Sequence, residues 1–449
     1  WLAAKRPGVM LARVARIGGT AILAGGASAG AIAAGALGEE GQRSAIFMLM
    51  QLDDNLRPAL AATLPAEAFI CLYSATRTPF AKAMGKSAGK QPASLPAGGA
   101  EGVRVMGLSF RNDLGNAAGL DKDGSLLDFN YAIGAGYTVV GTVLSEPHTG
   151  NLFSFLGGLW RGNAWTPLPL SGGALNSLGL PSQGAAAAMA NIAAFRERHA
   201  LPPQRAERTG KAKGGGGRGA GVAAAGDGFP IGVSIMGHPA HADPARKLEG
   251  VLHCVREALP LADFIEVNES CPNVHHGGGG ASATDELAAR LRAVVAVRDA
   301  AARAPGGRRV PVLVKLGDLG DAKATVRFLA RLGVDGVVAL NTQKDYAAFE
   351  LPEADRALLQ HYTQAYGGGL SGPPILSRST AQVAAARAAV AELRLGGAFT
   401  VIHVGGLQSA EDVRRSRGTG AELRQWYSGL MHGLAQPEAA TLYARLTAP

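Results

Sequence analysis

Eight short apolar runs, most of them separated by stretches rich in Ala, Leu and Arg, constrain this chain more than any other feature. The runs are Asp113–Ala118, Tyr137–Leu144, Ile231–Met236, Phe264–Val267, Val312–Leu316, Val337–Asn341, Thr400–Val404 and Gln425–Leu430. Between them, Asp285–Ala304, Ala322–Leu332 and Thr380–Leu395 have helical composition. Parallel strands need long crossovers, usually helical, so this alternation predicts an α/β fold, a parallel (β/α)8 barrel over residues 100–449. An open doubly wound sheet would carry a Gly-x-Gly-x-x-Gly turn early in the chain, and that turn is missing where it is expected. In a barrel, chemistry gathers at the C-terminal ends of the strands.

Polar residues fall at those ends. The run Phe264–Val267 leads into Asn268, Ser270, Cys271 and Asn273, with Pro272 stopping the strand. Carboxamides offer both donor and acceptor to a planar ligand, and Cys271 places a thiol among them. After the first run comes Asn116-Ala-Ala-Gly-Leu-Asp-Lys-Asp-Gly124. Its small residues Ala118 and Gly119 allow close backbone approach, and Lys122 brings a positive charge. Gly141-Thr142 closes the second run. Ala174-Leu-Asn-Ser-Leu-Gly-Leu-Pro181 offers the Asn176 amide and the Gly179 N–H, flanked by Ser177, Leu178 and Leu180. Lys315 ends the fifth run and Asn341-Thr342 the sixth. Gly368-Gly-Leu-Ser-Gly372 and Val404-Gly-Gly406 are glycine turns near the seventh and eighth βα loops. Backbone N–H groups in such turns cradle phosphate. Tyr427-Ser428 stands at the last run. Each segment alone also reads as an ordinary turn or cap; their number and order point to a site.

The N-terminal region is different in kind. Lys5, Arg6, Arg13 and Arg16 occur before any acidic residue, a pattern that suits a mitochondrial targeting segment over residues 1–16. Residues 17–38 carry no charge and are long enough for one transmembrane helix, although Gly and Ala dominate and a cleavable leader reads the same way. Residues 39–99 read as two short helices interrupted by Pro58 and Pro65, followed by a Gly/Ser/Pro/Lys linker from Gly85 to Gly102. Such a helix pair either lies in a membrane interface or caps the barrel. Residues 196–228 are a Gly/Ala/Lys/Arg insert whose composition cannot build a core. Net charge is +9, but it is dispersed and accompanied by no recognition motif, which argues against nucleic-acid binding. Cys71, Cys254 and Cys271 form neither a disulfide framework nor a zinc spacing, and the adjacent His275 and His276 do not share a helix face as ligands would; no metal is expected.

The motif Asn268-Glu-Ser-Cys-Pro-Asn273 resembles that of the dihydroorotate dehydrogenases. The resemblance runs from about residue 100 to 435, with Ala117-Ala-Gly-Leu-Asp-Lys122, Lys315, Asn341-Thr342 and both glycine turns in the family's order. It implies FMN as cofactor and the oxidation of dihydroorotate to orotate. Cys271 would be the base at C5, with Lys122 beside it, and hydride would leave C6 for flavin N5. Flavin contacts would come from Ala118, Gly119, Lys122, Gly141, Thr142, Asn268 and Lys315. The phosphate would sit on Ser371, Gly372, Gly405, Gly406, Tyr427 and Ser428. Substrate contacts would come from Lys122, Asn176, Ser177, Leu178, Gly179, Leu180, Asn268, Asn273, Asn341 and Thr342.

The resemblance is mixed as to class. The N-terminal helices and the Ala-Ala-Gly-Leu-Asp-Lys run look like the membrane-bound class, which implies quinone as acceptor and the mitochondrial inner membrane as location. Cys271 and Asn176-Ser-Leu-Gly-Leu-Pro181 look like the soluble, fumarate-using class. Segment Asn151–Gly173 departs from the pattern that lines the quinone site. Glu269 stands where the family has an apolar residue, and Ser234 where the quinone class has a flavin-contacting asparagine. Three readings follow: a quinone-reducing enzyme, the same chemistry with fumarate or another soluble acceptor, and a non-catalytic barrel within a larger mitochondrial membrane complex. Protein partners are not legible.

Overall fold

The computed structural model describes residues 39–86, 102–205, 228–270, 281–436 and 438–448. Two helices come first, α1 (Glu39–Thr63) and α2 (Ala66–Lys86). Strands β1 (Val103–Val105) and β2 (Leu108–Phe110) form a hairpin. Then follow β3 (Leu114–Asp121), α3 (Leu127–Ala132) and β4 (Thr138–Val143). A long excursion carries hairpin β5 (Phe153–Phe155) and β6 (Trp160–Gly162), then β7 (Ala164–Pro167) and β8 (Ala174–Ser177). The chain continues through α4 (Ala185–His199), β9 (Ile231–Ile235), α5 (Pro244–Ala258), β10 (Phe264–Asn268) and α6 (Ala281–Arg303). Next are β11 (Val312–Leu316), α7 (Ala322–Arg331), β12 (Gly336–Ala339), α8 (Glu353–Tyr366), β13 (Gly369–Ser371) and α9 (Leu376–Glu392). It ends with β14 (Thr400–Val404), α10 (Ala410–Gly418), β15 (Leu423–Trp426), α11 (Ser428–Leu434) and α12 (Leu442–Thr447).

Eight strands close a parallel barrel in the order β10-β11-β12-β14-β15-β3-β4-β9. The expected (β/α)8 architecture is therefore present, built from the eight runs read in the sequence. Strand alternation explains the two apolar layers. Tyr137, Val139, Phe264, Leu313, Val338, Ile402 and Leu423 fill the barrel interior. Val140, Ile265, Val314, Val337 and Val401 face the helices.

Several boundaries differ from the sequence reading. The last strand is Leu423–Trp426 rather than Gln425–Leu430, and α11 starts at Ser428. At Gly429 a Cβ would fall 1.9 Å from the carbonyl oxygen of Leu407, so a side chain is excluded there for packing reasons rather than strand pairing. The N-terminal helices are not short: α1 has 25 residues and runs through Pro58, and α2 has 21 and runs through Pro79 and Gly85. Burial of Ile46, Met50, Phe69 and Ile70 outweighs the proline penalty of about 3 kcal/mol. The insert does not begin at 196. Arg196 lies within α4, 7% exposed, and residues up to Arg205 belong to the barrel's base; residues 206–227 lie outside the described residues, as do 1–16, the uncharged 17–38, and His275-His276. Among the described residues no helix is long and apolar enough to cross a membrane.

The pair α1–α2 caps the structure beside the barrel's mouth. Phe69, Ile70, Cys71 and Tyr73 of α2 join a second core with Ala164 and Leu168 around β7, Leu175 of β8, and Leu358, Leu359 and Tyr362 of α8. The cap reading holds for α2. Yet Met48, Leu52 and Leu56, spaced by one helical turn along α1, are 64%, 43% and 37% exposed. Leu152, Leu156, Leu159 and Leu170, in and around the β5–β6 hairpin, are exposed too. Among the described residues these seven are all the exposed large apolar side chains, and all lie on α1 or in the excursion that packs against α2.

Candidate active site

Five neighbouring strands end in one hydrogen-bonded belt. Asn268 closes β10 and is 4% exposed. Its Nδ2 donates to Thr142 Oγ1 at 2.8 Å, just past the β4 backbone turn at Gly141. The hydroxyls of Thr142 and Ser234, on β9, are 3.3 Å apart. Asn268 Oδ1 accepts from both the backbone N–H and the hydroxyl of Ser270, at 3.2 and 2.9 Å. Asn341, after β12, donates to Ser270 Oγ at 2.8 Å and accepts from the Thr342 N–H at 2.7 Å. Gln343 Nε2 donates to the carbonyls of Gly317, after β11, and Asn341. A carboxamide has two N–H groups and two lone pairs. Among the described residues Asn341 therefore keeps one of each for a ligand, and Asn268 keeps one N–H.

Lys315 is in register with Asn268 on the adjoining strand and is 4% exposed. Among the described residues no carboxylate pairs with it. A buried ammonium without an anion is costly, so this mouth is built to receive negative charge there. On the opposite side of the barrel, β3 ends at Asp121, with Lys122 half-buried after it. Burial, with Asp123 adding to it, pushes the Asp121 carboxyl up to about 7. One of its oxygens accepts from the Gly124 N–H at 2.9 Å and the other has no hydrogen-bond partner among the described residues. Ala118 and Gly119 sit partly exposed along the same strand. Gly141 is required by its neighbours: a Cβ there would lie 2.5 Å from the Ser234 carbonyl oxygen.

A small antiparallel sheet, β7-β8-β13, joins the remaining pieces. Asn176 of β8 stands opposite Gly369 of β13, and Leu370 exchanges backbone bonds with Gln343. Ser371, at the end of β13, lies 3.0 Å from Ser428 Oγ, hydroxyl to hydroxyl. That contact brings the two predicted phosphate segments, Ser371-Gly372 and Tyr427-Ser428, together. Among the described residues no acceptor takes the backbone N–H of Gly372, Gly405 or Gly406. N–H groups left without an acceptor among the described residues at such turns fit an anionic group, and Lys315, with no carboxylate partner among the described residues, fits a negatively charged ring. Glycine turns that can take a phosphate, with Lys315, Asn268 and Thr142 beside them, fit the FMN that the resemblance implies.

Three residues that secure the substrate loop escaped the sequence reading. Asn151 bonds Leu178 O through its backbone N–H at 2.9 Å and Ser177 O through its side chain at 3.3 Å. Asn163 Nδ2 donates to Asn151 O at 2.7 Å, and His148 Nδ1 lies 3.1 Å from Leu180 O. Together they fix Ser177, Leu178, Gly179 and Leu180. The only sequence signal for Asn151 and Asn163 was polarity in a segment that departs from the family pattern, and His148, just before that segment, had none. Ser270, joining Asn268 to Asn341, was visible in the motif but was not assigned a role. Glu269 turns away from the site and forms a two-pronged pair with Arg290 of α6, at 2.6 and 2.8 Å. Ser234 replaces an amide by a hydroxyl that serves Thr142. Cys271 and Asn273 lie outside the described residues. No group of His, Cys, Asp and Glu suited to a metal occurs among the described residues.

A barrel whose strand ends gather amides, a buried lysine and phosphate-type glycine turns defines an oxidoreductase-like (β/α)8 enzyme. The comparisons place it further. A family profile for dihydroorotate dehydrogenase matches residues 102–439. The "Dihydroorotate dehydrogenase (quinone)" of Flavobacterium lutescens is 33% identical over 350 residues, covering 76% of this chain and 81% of that protein. The protein of the same name from Verminephrobacter eiseniae is 33% identical over 336 residues, covering 74% of this chain and 78% of its own length. The crystal structure of DHODH from Eimeria tenella in complex with ferulenol superposes with a TM-score of 0.58 at 21% identity, covering 79% of this chain and 86% of that one, a likeness of fold. The chain belongs to the dihydroorotate dehydrogenase family.

Proposed function

We propose that this protein oxidises dihydroorotate to orotate with FMN and passes the electrons to a quinone at the inner mitochondrial membrane. The observation that carries the redox half is the belt Thr142–Asn268–Ser270–Asn341 next to Lys315, which has no carboxylate partner among the described residues. FMN, when bound, supplies the acceptor for the hydride that leaves C6. The chain does the rest. Asn176, Asn268, Asn273 and Asn341 hold the pyrimidine edge, and Lys122 and Lys315 supply positive charge on two sides of the mouth. Cys271 takes the proton from C5; a thiol with an ordinary value near 8.5 needs a neighbouring cation or substrate-coupled proton loss to act at neutral pH. The Asn151–Asn163–His148 clamp keeps the substrate loop closed on the site.

Three observations support quinone over fumarate. The curated relatives carry "(quinone)" in their names. A cavity of about 310 Å³ lies between α1, α2 and α8, lined by Pro58, Ala61, Ala62, Phe69, Leu170 and Leu358. Its apolar walls suit a lipid-soluble acceptor rather than a dicarboxylate. The seven exposed apolar residues, all on α1 or in the excursion between β4 and α4, suit a bilayer interface. The mitochondrial location rests on the basic, acid-free residues 1–16 and the uncharged 17–38.

Anaerobic mixing of the flavin-loaded protein with dihydroorotate tests the first half-reaction: the yellow colour is lost, and Cys271→Ala slows the loss by roughly two to four orders of magnitude. Reoxidation by a short-chain quinone but not by fumarate tests the second. A protein that binds no flavin, or whose flavin dihydroorotate does not bleach, is the non-catalytic barrel instead. Bleaching followed by reoxidation with fumarate alone moves it to the soluble type.

A further inference from the structure

His403 lies on β14 and is fully buried. By strand alternation its side chain leaves the barrel on the same face as Val401, between the strand and helices α9 and α10. There it stands between two serines. Its Nδ1 is 2.7 Å from Ser416 Oγ on α10, and its Nε2 is 3.0 Å from Ser379 Oγ on α9.

The protons on this chain follow from counting. Ser379 Oγ is 2.7 Å from the carbonyl of Gly405 and 2.9 Å from that of Leu376. Both accept only, so the serine proton points at them and its lone pair faces His403. The imidazole must donate there, which puts its proton on Nε2. Nδ1 is then bare and accepts from the Ser416 hydroxyl. Ser416 Oγ in turn accepts from Arg424 Nε at 3.1 Å. Arg424 is held by Asp113 at 2.6 Å, and Asp113 also grips Arg417. Each donor from Arg424 to Gly405 points the same way, with the Ser379 proton shared between the Gly405 and Leu376 carbonyls. Burial, and then the Arg424 charge, lower the His403 value to about 4, with Asp412 opposing; the neutral ring is the resident form.

The end of this chain is a backbone turn with little freedom. Gly405 and Gly406 have φ of +124° and +84°. A Cβ on Gly406 would fall 2.5 Å from Leu376 Cα, so the turn sits directly on the first turn of α9. Ser379 fastens it there.

We propose that His403 is a positioning residue for the cofactor's phosphate: through Ser379 it fixes the Gly405 carbonyl, and with it the set of the Gly405-Gly406 N–H groups that receive the phosphate. The proposal rests on the reading of FMN as cofactor. It assigns a role to residues Arg424, Ser416, His403 and Ser379, none of which is among the expected flavin or substrate contacts.

Flavin titration of the flavin-free protein, followed by fluorescence quenching, tests it with two ligands. FMN carries the phosphate and riboflavin does not. His403→Leu and Ser379→Ala are each expected to weaken FMN about tenfold, the loss equivalent to one or two hydrogen bonds. Riboflavin affinity stays within about twofold, which a general loss of packing would not allow. Ser379→Ala removes one hydroxyl and guards against a His403→Leu protein that does not fold. Selective 15N labelling of histidine is a second readout: the His403 signals must show a protonated Nε2 and a bare Nδ1. The proposal is overturned if either variant keeps the wild-type preference for FMN over riboflavin, or if the proton sits on Nδ1. If the wild-type protein itself shows no such preference, the phosphate reading of the turn fails first.

Discussion

Asp263 offers the sharpest test of how this barrel divides stability from chemistry. It immediately precedes β10, at the end of the barrel opposite Asn268, and is fully buried. One carboxylate oxygen accepts from Arg196 Nη2 at 2.8 Å and from the Ile231 N–H at 2.7 Å; the other accepts from the Gln204 N–H at 2.7 Å. Arg196 is also satisfied at the carbonyls of Leu261 and Leu201. Asp263→Ala strands a guanidinium whose side chain is 6% exposed, together with two backbone N–H groups. Breaking a buried pair from one side costs about 3–5 kcal/mol. Each orphaned N–H adds about 1–3 kcal/mol in isolation, though the costs overlap within one network. The expected destabilisation is therefore at least about 4 kcal/mol. Arg196→Met in the Asp263→Ala background should recover part of it, because it removes the stranded charge. The assay is urea unfolding of the four proteins, paired with anaerobic bleaching per bound flavin. An Asp263→Ala protein within about 1 kcal/mol of wild type would refute the energetic reasoning. A bleaching rate changed more than a few-fold in the folded variant would refute the separation of base from mouth.

Other consequences follow from the same geometry. Gln204 bonds both backbone groups of Ser109, and Gly228 packs against Ser109 O, so the chain on either side of 206–227 meets at one place. Replacing 206–227 by a few Gly/Ser residues should leave the urea midpoint and flavin content unchanged; loss of flavin would show that the insert contributes to the mouth. Asp121 is raised to about 7 against an ordinary value near 4, so the native state holds a proton that the unfolded state has released. Stability from this group is therefore full below about pH 4 and lost as pH rises through 7. Asp121→Asn should gain on wild type between pH 5 and pH 8 by on the order of 3 kcal/mol, about two pH units of the shift, read from urea midpoints of flavin-free protein; a constant difference would refute it. Replacing Leu156 and Leu159 by Ser should weaken the liposome partition constant at least about a hundredfold, since each buried leucine contributes about 1.5–3 kcal/mol, while bleaching by dihydroorotate is unchanged. Equal liposome binding would detach the hairpin from the membrane reading.

What was legible in the sequence had a short-range cause. The strands Ile231–Ile235, Val312–Leu316 and Thr400–Val404 announce themselves because a parallel strand buried on both faces is apolar throughout. Asn268, Lys315 and Asn341 were legible because a polar residue ending such a strand has few places to go. Features set by tertiary contact were not. Arg196 looked like the start of a basic, low-complexity insert, and its burial depends on Asp263, 67 positions away. The helix after β15 was missed because Tyr427 to Leu430 has strand-like composition, while Gly429 is dictated by the Leu407 carbonyl across the loop. The clamp residues Asn151, Asn163 and His148 act on backbone carbonyls, a role that leaves no spacing to read.

The three-stranded sheet beside the mouth couples two ends of the proposed reaction, and Ser74 is the place to test that. Ser74 of α2 accepts from the Trp165 N–H at 3.0 Å and donates to the Trp165 carbonyl at 2.9 Å, so one side chain occupies both polar groups of a β7 residue. Trp165 is in register with Asn176, the expected substrate contact, and Asn176 with Gly369, two residues before Ser371. α2 also carries Phe69, which walls the cavity proposed for the acceptor. A hydrogen-bonded sheet moves as a unit more readily than its strands move apart, so disturbance at Ser74 reaches the substrate edge. Ser74→Ala leaves both Trp165 groups unpaired in a site 5% exposed, a cost of about 1–3 kcal/mol for each stranded group. If the sheet relaxes to meet that cost, Asn176 shifts and KM for dihydroorotate rises several-fold. The rise must persist with a small water-soluble electron acceptor that bypasses the apolar cavity. A variant impaired with quinone but normal for dihydroorotate under that acceptor would confine Ser74 to the acceptor side and break the proposed coupling.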